Sequence, residues 1–239
     1  MSGRSFGHLF RAWGFPLFLG LSGICQDAEA AGLSGVFDAG WSTGYYGQDS
    51  LTHMHQRLHE IGARTVILQY AAVEGTHLYY PSVLDFLQNT TYRHDDFFEK
   101  SLKAARAAGN KLWLGLYYNG NDWYTPPTTE ALDTLAARNI KVLEELYSQF
   151  GGDSLIKGVY IPQEIARYYW DGLRSDATTQ GLASHFLEPV TKTAQAKGWK
   201  VMAAPFFNRK LESPATLQGF FENLFEAGCH RRTGRHRSL

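Results

Sequence analysis

Residues 157–164 read Lys-Gly-Val-Tyr-Ile-Pro-Gln-Glu and combine a strand signal with a carboxylate. Val159–Ile161 is a short run of β-branched and aromatic residues, which is typical of a strand, and Pro162 marks where a strand ladder ends. In parallel α/β proteins the binding crevice lies just beyond the carboxyl ends of the strands. Glu164 therefore has the position of a general acid/base, and a glutamate that braces the next helix is the alternative.

Outward from this stretch, five apolar strand patterns alternate with five helical patterns along the chain. The predicted strands are Gly35–Trp41, Arg64–Ala71, Lys111–Tyr118, Lys157–Ile161 and Lys200–Phe206. The predicted helices are Ser50–Ile61, Asp95 or Asp96 to Ala108, Thr128 or Thr129 to Phe150, Thr178–Lys197 and Ser213–Ala227. Strands that are apolar on both faces and are joined by helices indicate a parallel sheet covered by helices.

Two α/β architectures fit this alternation, a doubly wound sheet and a (β/α)8 TIM barrel. No Gly-x-Gly-x-x-Gly stretch or phosphate loop follows a predicted strand, which argues against a nucleotide-binding doubly wound sheet. Long aromatic loops after the strands favour a barrel with its site at the carboxyl ends. A complete barrel needs about 250 residues in eight units. We therefore predict the TIM-barrel type in incomplete form, with about five of the eight βα units.

The last eleven residues break the apolar pattern, because Cys229–Leu239 carries four arginines and no acidic residue. Read one nucleotide out of frame from Gly228, one permitted back-translation gives Ala-Val-Ile-Val-Ala-Leu-Ala-Gly-Ile-Gly-Val, which is similar to a barrel strand followed by a glycine turn. We expect a partial barrel domain over residues 31–228 and an aberrant, frameshifted tail over residues 229–239. A genuine basic tail is the alternative.

Residues 1–30 have the pattern of a secretory signal peptide. Arg4 and Arg11 form its positive region, Ala12–Ile24 is apolar, and Ala28-Glu29-Ala30 gives a small-x-small cleavage site. A membrane anchor or a buried helix is the alternative, but the apolar stretch is short for a membrane span. We expect a periplasmic or secreted protein that contacts the membrane only through the uncleaved signal segment.

Charge and residue spacing argue against two classes of partner. The chain has 23 basic and 23 acidic side chains, and because the tail holds four of the basic ones, the remaining body is mildly acidic. A nucleic-acid partner would need a basic face on the fold, so none is predicted. His55 and His59 have a metal-compatible i, i+4 spacing, but no third ligand is nearby and a solvated helix face is favoured. No metal and no cofactor are predicted.

Three motifs occur in a set order, Val66-Ile67-Leu68-Gln69-Tyr70, Leu114-Gly115-Leu116-Tyr117 and the 158–164 segment. Together they resemble an uncharacterised bacterial family of glycosidase-like TIM barrels, the domain of unknown function 4434, over about residues 34–228. In the larger glycosidase superfamily of this barrel type, the fourth strand ends in Asn-Glu and that glutamate is the acid/base. The resemblance implies this role for Glu164, with Gln163 in place of the asparagine. The superfamily's nucleophilic carboxylate lies on a seventh strand, so the resemblance assigns it to no residue here.

Sugar hydrolysis needs two carboxylates, about 5–5.5 Å apart for retention or about 6.5–9.5 Å apart for inversion, and Glu164 supplies one. Asp38 and Glu74 also lie near strand ends, and structural hydrogen bonding is the favoured role for both. Rings stack on the apolar faces of sugars, while sugar hydroxyls need amides and carboxylates. The predicted substrate-binding residues are Trp41, Gln69, Tyr117, Asn119, Trp123, Gln163 and Asn208. For any one ring, packing of a loop onto the barrel rim is the alternative.

These observations favour an exported glycoside-hydrolase-like protein that acts on or binds an oligosaccharide or polysaccharide and is inactive as this partial chain. The alternative is a non-catalytic carbohydrate-binding or exopolysaccharide-assembly protein that uses the same rim. A third class, an unrelated hydrolase on a doubly wound sheet, would be expected to carry a Gly-x-Ser-x-Gly elbow, and the sequence has none.

Overall fold

The computed structural model describes residues 33–120, 128–165, 181–210 and 212–229, with side chains up to residue 224 in the last range. The predicted signal peptide and the residues after Cys229 lie outside these ranges, so the export and tail predictions stay predictions. Within the ranges described, the longest apolar helices fall short of what a membrane crossing requires.

A five-stranded parallel sheet forms the centre of the fold, and we number its strands in chain order. They are β1 (Gly35–Asp38), β2 (Thr65–Leu68), β3 (Lys111–Gly115), β4 (Ile156–Ile165) and β5 (Lys200–Pro205). Each strand pairs in parallel with the next one along the chain. In a doubly wound sheet the strand order reverses at a switch point. The unreversed order seen here is that of successive units of a barrel.

Five helices connect or follow these strands. They are α1 (Gln48–Glu60), α2 (Phe97–Ala108), α3 (Thr129–Phe150), α4 (Glu188–Ala196) and α5 (Pro214–Cys229), and a π-helical segment, Leu182–Leu187, precedes α4. The cap predicted for α3 is present, because the Thr128 hydroxyl accepts a hydrogen bond from the Ala131 amide at 3.2 Å. Crossovers between parallel strands are right-handed in nearly all proteins, and for strands in unreversed order this hand places the connecting helices on one face of the sheet. The predicted α/β barrel-type fold with five units is confirmed, and the sheet is open over the residues described.

The core lies between the sheet and the helices. Leu68, Leu114 and Val159 are register partners across three strands and are at most 2% exposed. Burying each such side chain stabilises the fold by about 1.5–3 kcal/mol. Close approach of the backbones adds a second constraint, because a Cβ atom at Gly115 would lie 2.1 Å from the Gln69 carbonyl oxygen.

A small second sheet lies in the connections after β2 and β3, and the sequence patterns did not predict it. Its strands are only two residues long and follow the order Tyr92–Arg93, His77–Leu78, Ala72–Val73 and Tyr117–Tyr118. The Ala71 amide donates to the Leu116 carbonyl at 3.1 Å and fixes this sheet to the end of β3. The loop after β2 is therefore an ordered platform beside the carboxyl ends of the main strands.

The prediction that Pro162 ends the fourth strand is wrong, because β4 continues through Pro162 to Ile165. Ile161 pairs with Ala203, and Glu164 pairs with the next residue of β5, Ala204. Pro162 and Gln163 are therefore additional residues in a bulge. Proline is tolerated at a bulge because its missing N–H is not needed for the ladder there.

The expected solvated helix face at His55 and His59 is also wrong. His55 is fully buried, and the Asn110 side-chain amide donates to its carbonyl at 2.9 Å. His59 Nδ1 lies 3.0 Å from Asn110 Oδ1. The two histidines fix α1 to the residue before β3, a tertiary contact that the period of the helix alone did not reveal.

Candidate functional site at the carboxyl ends of the strands

Glu164 lies at the carboxyl end of β4, directly after the Pro162–Gln163 bulge, and is half-buried. Bulges bend a strand and change the direction in which the next side chains point. Burial, with smaller contributions from Tyr70 and the Glu164 carboxylate, raises the pKa of the Tyr160 hydroxyl to about 12. Tyr160 thus stays protonated in the same electrostatic environment as Glu164.

A series of aromatic rings lines this end of the sheet, and we call Phe37, Trp41, Tyr70, Tyr118 and Tyr160 the ring series. Ring centroids lie 5.2 Å apart for Phe37 and Tyr160, 6.1 Å for Trp41 and Tyr70, and 5.5 Å for Tyr70 and Tyr118. Phe37 is 55% exposed and Trp41 is 50% exposed. The series therefore offers accessible ring surface near Glu164.

Two predicted binding residues, Trp41 and Gln69, belong to this region. The Gln69 amide donates to the Tyr70 hydroxyl at 2.8 Å, and its backbone N–H donates to the Asp38 carbonyl at 2.8 Å. Asn119 follows the Tyr117–Tyr118 strand and is half-buried, and its Oδ1 has no hydrogen-bond partner among the described residues. Trp41, Gln69 and Asn119 thus remain candidates for contact with a ligand.

Two other predicted binding residues, Gln163 and Tyr117, form a layer beneath the surface. Gln163 is fully buried and donates through Nε2 to the Tyr117 carbonyl at 2.9 Å. Tyr117 is 1% exposed, and its hydroxyl accepts a hydrogen bond from Arg138 Nη1 at 2.8 Å. Burial raises the pKa of Tyr117. In this arrangement both residues support the strand end that carries Glu164.

Arg138 on α3 completes that layer, and sequence reasoning missed it. Its guanidinium donates to Glu74 Oε1 at 2.6 Å and lies over the rings of Phe86 and Tyr117, at 5.4 and 5.6 Å from their centroids. A helical arginine in a polar stretch gives no sign of such contacts in the sequence. The sequence feature that could have pointed to Arg138 is the isolated acidic residue Glu74, which calls for a cationic partner on a neighbouring helix.

Asp38 and Glu74 have the structural roles predicted for them. Asp38 Oδ1 accepts hydrogen bonds from the Gly40 amide at 3.0 Å and from the Thr43 hydroxyl at 2.5 Å, and so holds the turn after β1. Glu74 pairs with Arg138 as described above. Both carboxylates are used in organising loops.

The remaining predicted residues are Asn208 and Trp123. Asn208 Oδ1 accepts a hydrogen bond from the Lys210 amide at 3.0 Å, and its carbonyl accepts one from the Glu212 amide, so the side chain caps a turn after β5. Trp123 lies outside the described residues. Over the described ranges, histidine, cysteine and acidic side chains form no cluster of three or more that could hold a metal ion.

An unreversed parallel sheet joined by helices, with a glutamate at the carboxyl end of its fourth strand, is the arrangement of a TIM-barrel type of domain. The chain belongs to the family described as "Domain of unknown function (DUF4434)", whose model matches residues 34–231. This finding confirms the family resemblance noted in the sequence.

Among solved structures, the fold is similar to the crystal structure of a putative alpha-L-fucosidase from Bacteroides thetaiotaomicron. The TM-score is 0.61 and the identity is 18%, with 82% of this chain and 60% of the other covered. The chain thus spans 60% of the length of that protein, and at this identity the likeness concerns the fold alone. Comparison with curated proteins gives no match.

Proposed function

We propose that this is an exported glycoside-hydrolase-like protein that binds an oligosaccharide or polysaccharide at the carboxyl ends of its strands. One observation carries the proposal: Glu164 follows a bulge at the end of β4, beside Tyr160 and the ring series. Exposed rings suit the apolar faces of sugars, and a half-buried carboxyl group suits their hydroxyls and glycosidic oxygens. The family and the barrel-type fold support the same reading.

In this proposal Glu164 is the general acid/base of the domain type. Its carboxyl group would donate a proton to the glycosidic oxygen as the bond breaks, and its carboxylate would then accept a proton from water in a retaining reaction. Hydrolysis also needs a second carboxylate within about 5–9.5 Å. Asp38 already holds the turn after β1, and Glu74 already binds Arg138. Both of these carboxylates of the described residues thus have structural partners, and we propose that this part of the chain binds carbohydrate and does not by itself supply both catalytic groups.

A non-catalytic carbohydrate-binding or exopolysaccharide-assembly role is the second candidate. The orientation of Gln163 favours it, because this amide is turned to the Tyr117 carbonyl and is fully buried. An amide in that position supports the strand and does not reach a sugar hydroxyl beside Glu164. Both candidates share the binding surface and differ in chemistry at Glu164.

The test is a glycan array with the chain, followed by calorimetry on the best ligand. Trp41→Ala removes a half-exposed ring and is expected to weaken binding about tenfold, which corresponds to about 1.4 kcal/mol. Ile61→Ala is the control, since Ile61 is 61% exposed at the end of α1. Equal binding by wild type and Trp41→Ala would remove Trp41 from the site. An array without any bound glycan would contradict the proposed function.

Export has its own test, because it rests on the sequence of residues 1–30. The mature protein is expected to begin after Ala30 and to be recovered from the periplasm or the medium. Intact mass and N-terminal sequencing of the exported protein measure this. A mature protein that retains Met1 would contradict cleavage.

A further inference from the structure

The small sheet presents a face of four rings that the proposed site does not use. His77 and Tyr79 come from one extended segment, and Tyr92 and His94 come from the neighbouring one, with His77 and Tyr92 as register partners. Ring centroids lie 5.0 Å apart for His77 and Tyr92, and 5.6 Å apart for Tyr79 and His94, and both pairs are stacked. Alternate residues of a strand share one face, so the four rings lie side by side.

Three accessible rings surround the two imidazoles. Trp41 contacts His77 edge-on at 4.8 Å, and Tyr45 contacts His94 edge-on at 4.4 Å. Trp41 and Tyr92 are each 50% exposed and Tyr45 is 65% exposed, whereas His77 and His94 are each 9% exposed. The arrangement is a rim of aromatic surface around a polar floor.

The polar floor contains side-chain atoms that could form further hydrogen bonds. His77 Nδ1, His94 Nε2 and the Tyr79 hydroxyl are buried and have no hydrogen-bond partner among the described residues. Burial lowers the pKa of both His77 and His94, with His94 adding to the effect at His77 and Lys100 at His94, so both imidazoles are neutral at pH 7. A neutral imidazole offers one donor and one acceptor, which suits hydroxyl groups and gives no preference for an anion.

We propose that Trp41, His77 and Tyr92 form an outer subsite for a neutral pyranose unit of an oligosaccharide whose other end lies at Glu164. This proposal rests on the proposed function. Trp41 is the link between the two regions, because its ring contacts His77 on one side and Tyr70 of the ring series on the other. In this proposal a hexasaccharide extends from Glu164 past Trp41 to His77 and Tyr92, whereas a disaccharide held at Glu164 leaves Tyr92 uncontacted.

The experiment measures length-dependent affinity with the full chain. The probes are neutral gluco-, xylo- and manno-oligosaccharides of two and six units, and calorimetry gives the dissociation constants. Tyr92→Ala is expected to weaken hexasaccharide binding about tenfold and to change disaccharide binding less than about twofold. Tyr46→Ala is the matched control, because Tyr46 is 41% exposed and has no ring contact among the described residues. Its expected effect is nil for both lengths.

A second variant guards against a folding defect at position 92. His77→Asn keeps a polar side chain and identifies the NMR signals of the His77 ring protons, because they are absent from the spectrum of this variant. In the wild type these signals are expected to shift when the hexasaccharide binds and to stay unchanged with the disaccharide. Equal hexasaccharide affinity of wild type and Tyr92→Ala, or an unshifted His77 signal, overturns the subsite while leaving the proposed function intact. A wild-type chain that binds neither length of any probe overturns both.

Discussion

The rings of Phe37 in β1 and Tyr160 in β4 lie 5.2 Å apart at an interplanar angle of 64°, although β2 and β3 separate their strands. In a flat sheet three strand spacings of about 4.8 Å would hold the two strands about 14 Å apart. The contact therefore shows that the sheet curls strongly toward the face on which both rings lie. That curl is the geometry of a barrel wall, and it brings Phe37 of β1 and Tyr160 of β4 together, while the other members of the ring series lie in the segments that follow β1, β2 and β3.

The first prediction concerns the glycine that lets β3 approach the end of β2. A Cβ atom at position 115 would lie 2.1 Å from the Gln69 carbonyl oxygen and 2.2 Å from its carbon, so backbone must move to accept it. Gly115→Ala is expected to destabilise the protein by about 2–3 kcal/mol, or about 5–10 °C in Tm. Thermal and urea unfolding measure the change.

Gly152→Ala is the control for that experiment, because a Cβ atom at Gly152 would have open space around it. Its expected change in stability is within about 0.5 kcal/mol. If Gly115→Ala unfolded at the same temperature as Gly152→Ala, the close approach of β3 to the end of β2 would be disproved.

The second prediction concerns the layer beneath the site. Arg138→Met removes the hydrogen bonds to Glu74 and Tyr117 and leaves the half-buried Glu74 carboxylate without its cation, with the Tyr117 hydroxyl still beside it. The expected loss is about 1–2 kcal/mol, because both charged side chains are about one third exposed. Urea unfolding measures it. Arg57→Met provides the contrast, since Arg57 and Glu60 form an exposed pair whose loss should change stability by less than about 0.5 kcal/mol. Equal losses in the two variants would show that the Arg138 layer is not a support.

The strands and helices could be predicted because their patterns are long and local. Val66–Leu68 and Leu112–Leu114 lie between helices with clear stops such as Gly109, whose φ of 75° suits glycine. The strand boundary predicted at Pro162 was wrong because proline occurs both at the end of a strand and at a bulge inside a strand. Only the register of β4 against β5 distinguishes the two, and that register depends on residues forty positions away along the chain.

The candidate site was predicted in outline, and its details depend on tertiary contacts. Trp41, Gln69 and Glu164 lie at one end of the sheet as the strand pattern implied, since parallel strands bring their carboxyl ends together. Gln163 and Tyr117 are buried by tertiary contacts that no local pattern encodes, among them the hydrogen bond from Gln163 to the Tyr117 carbonyl and the packing of Phe86 against the Tyr117 ring. The ring face at His77 and Tyr92 was missed because two-residue strands are too short for a period of two to stand out.

The third prediction is a pH dependence that comes from His55. Burial lowers the pKa of His55 to about 4, against the opposing effect of Asp38. The folded protein therefore binds fewer protons than the unfolded chain between pH 6.5 and pH 4, and stability falls as pH falls through this window. The contribution lost between about pH 7 and about pH 4.5 is about 2 kcal/mol.

Urea unfolding at the two pH values measures this loss in wild type and in His55→Gln. The variant is less stable at neutral pH but is expected to lose about 2 kcal/mol less on acidification. His53→Gln is the control, since His53 is exposed on the same helix, and its acid loss should match that of wild type. Identical acid losses in wild type and His55→Gln would contradict a buried, neutral His55.

The last prediction concerns chemistry at Glu164 in a form of the protein that hydrolyses a glycan. Glu164→Gln keeps the size of the side chain and removes its proton transfer, so turnover of an unactivated glycan should fall about 10²–10⁴-fold. Glycan affinity should change little, because an amide can still hydrogen-bond to the sugar. An aryl glycoside with an acidic leaving group should lose less, since such a group departs without protonation. Glu222→Gln is the matched control, because Glu222 is exposed on α5 and bonds Gln218. Near-normal turnover of the unactivated glycan by Glu164→Gln would exclude the acid/base role, and an equal loss on both substrates would mark Glu164 as a binding residue.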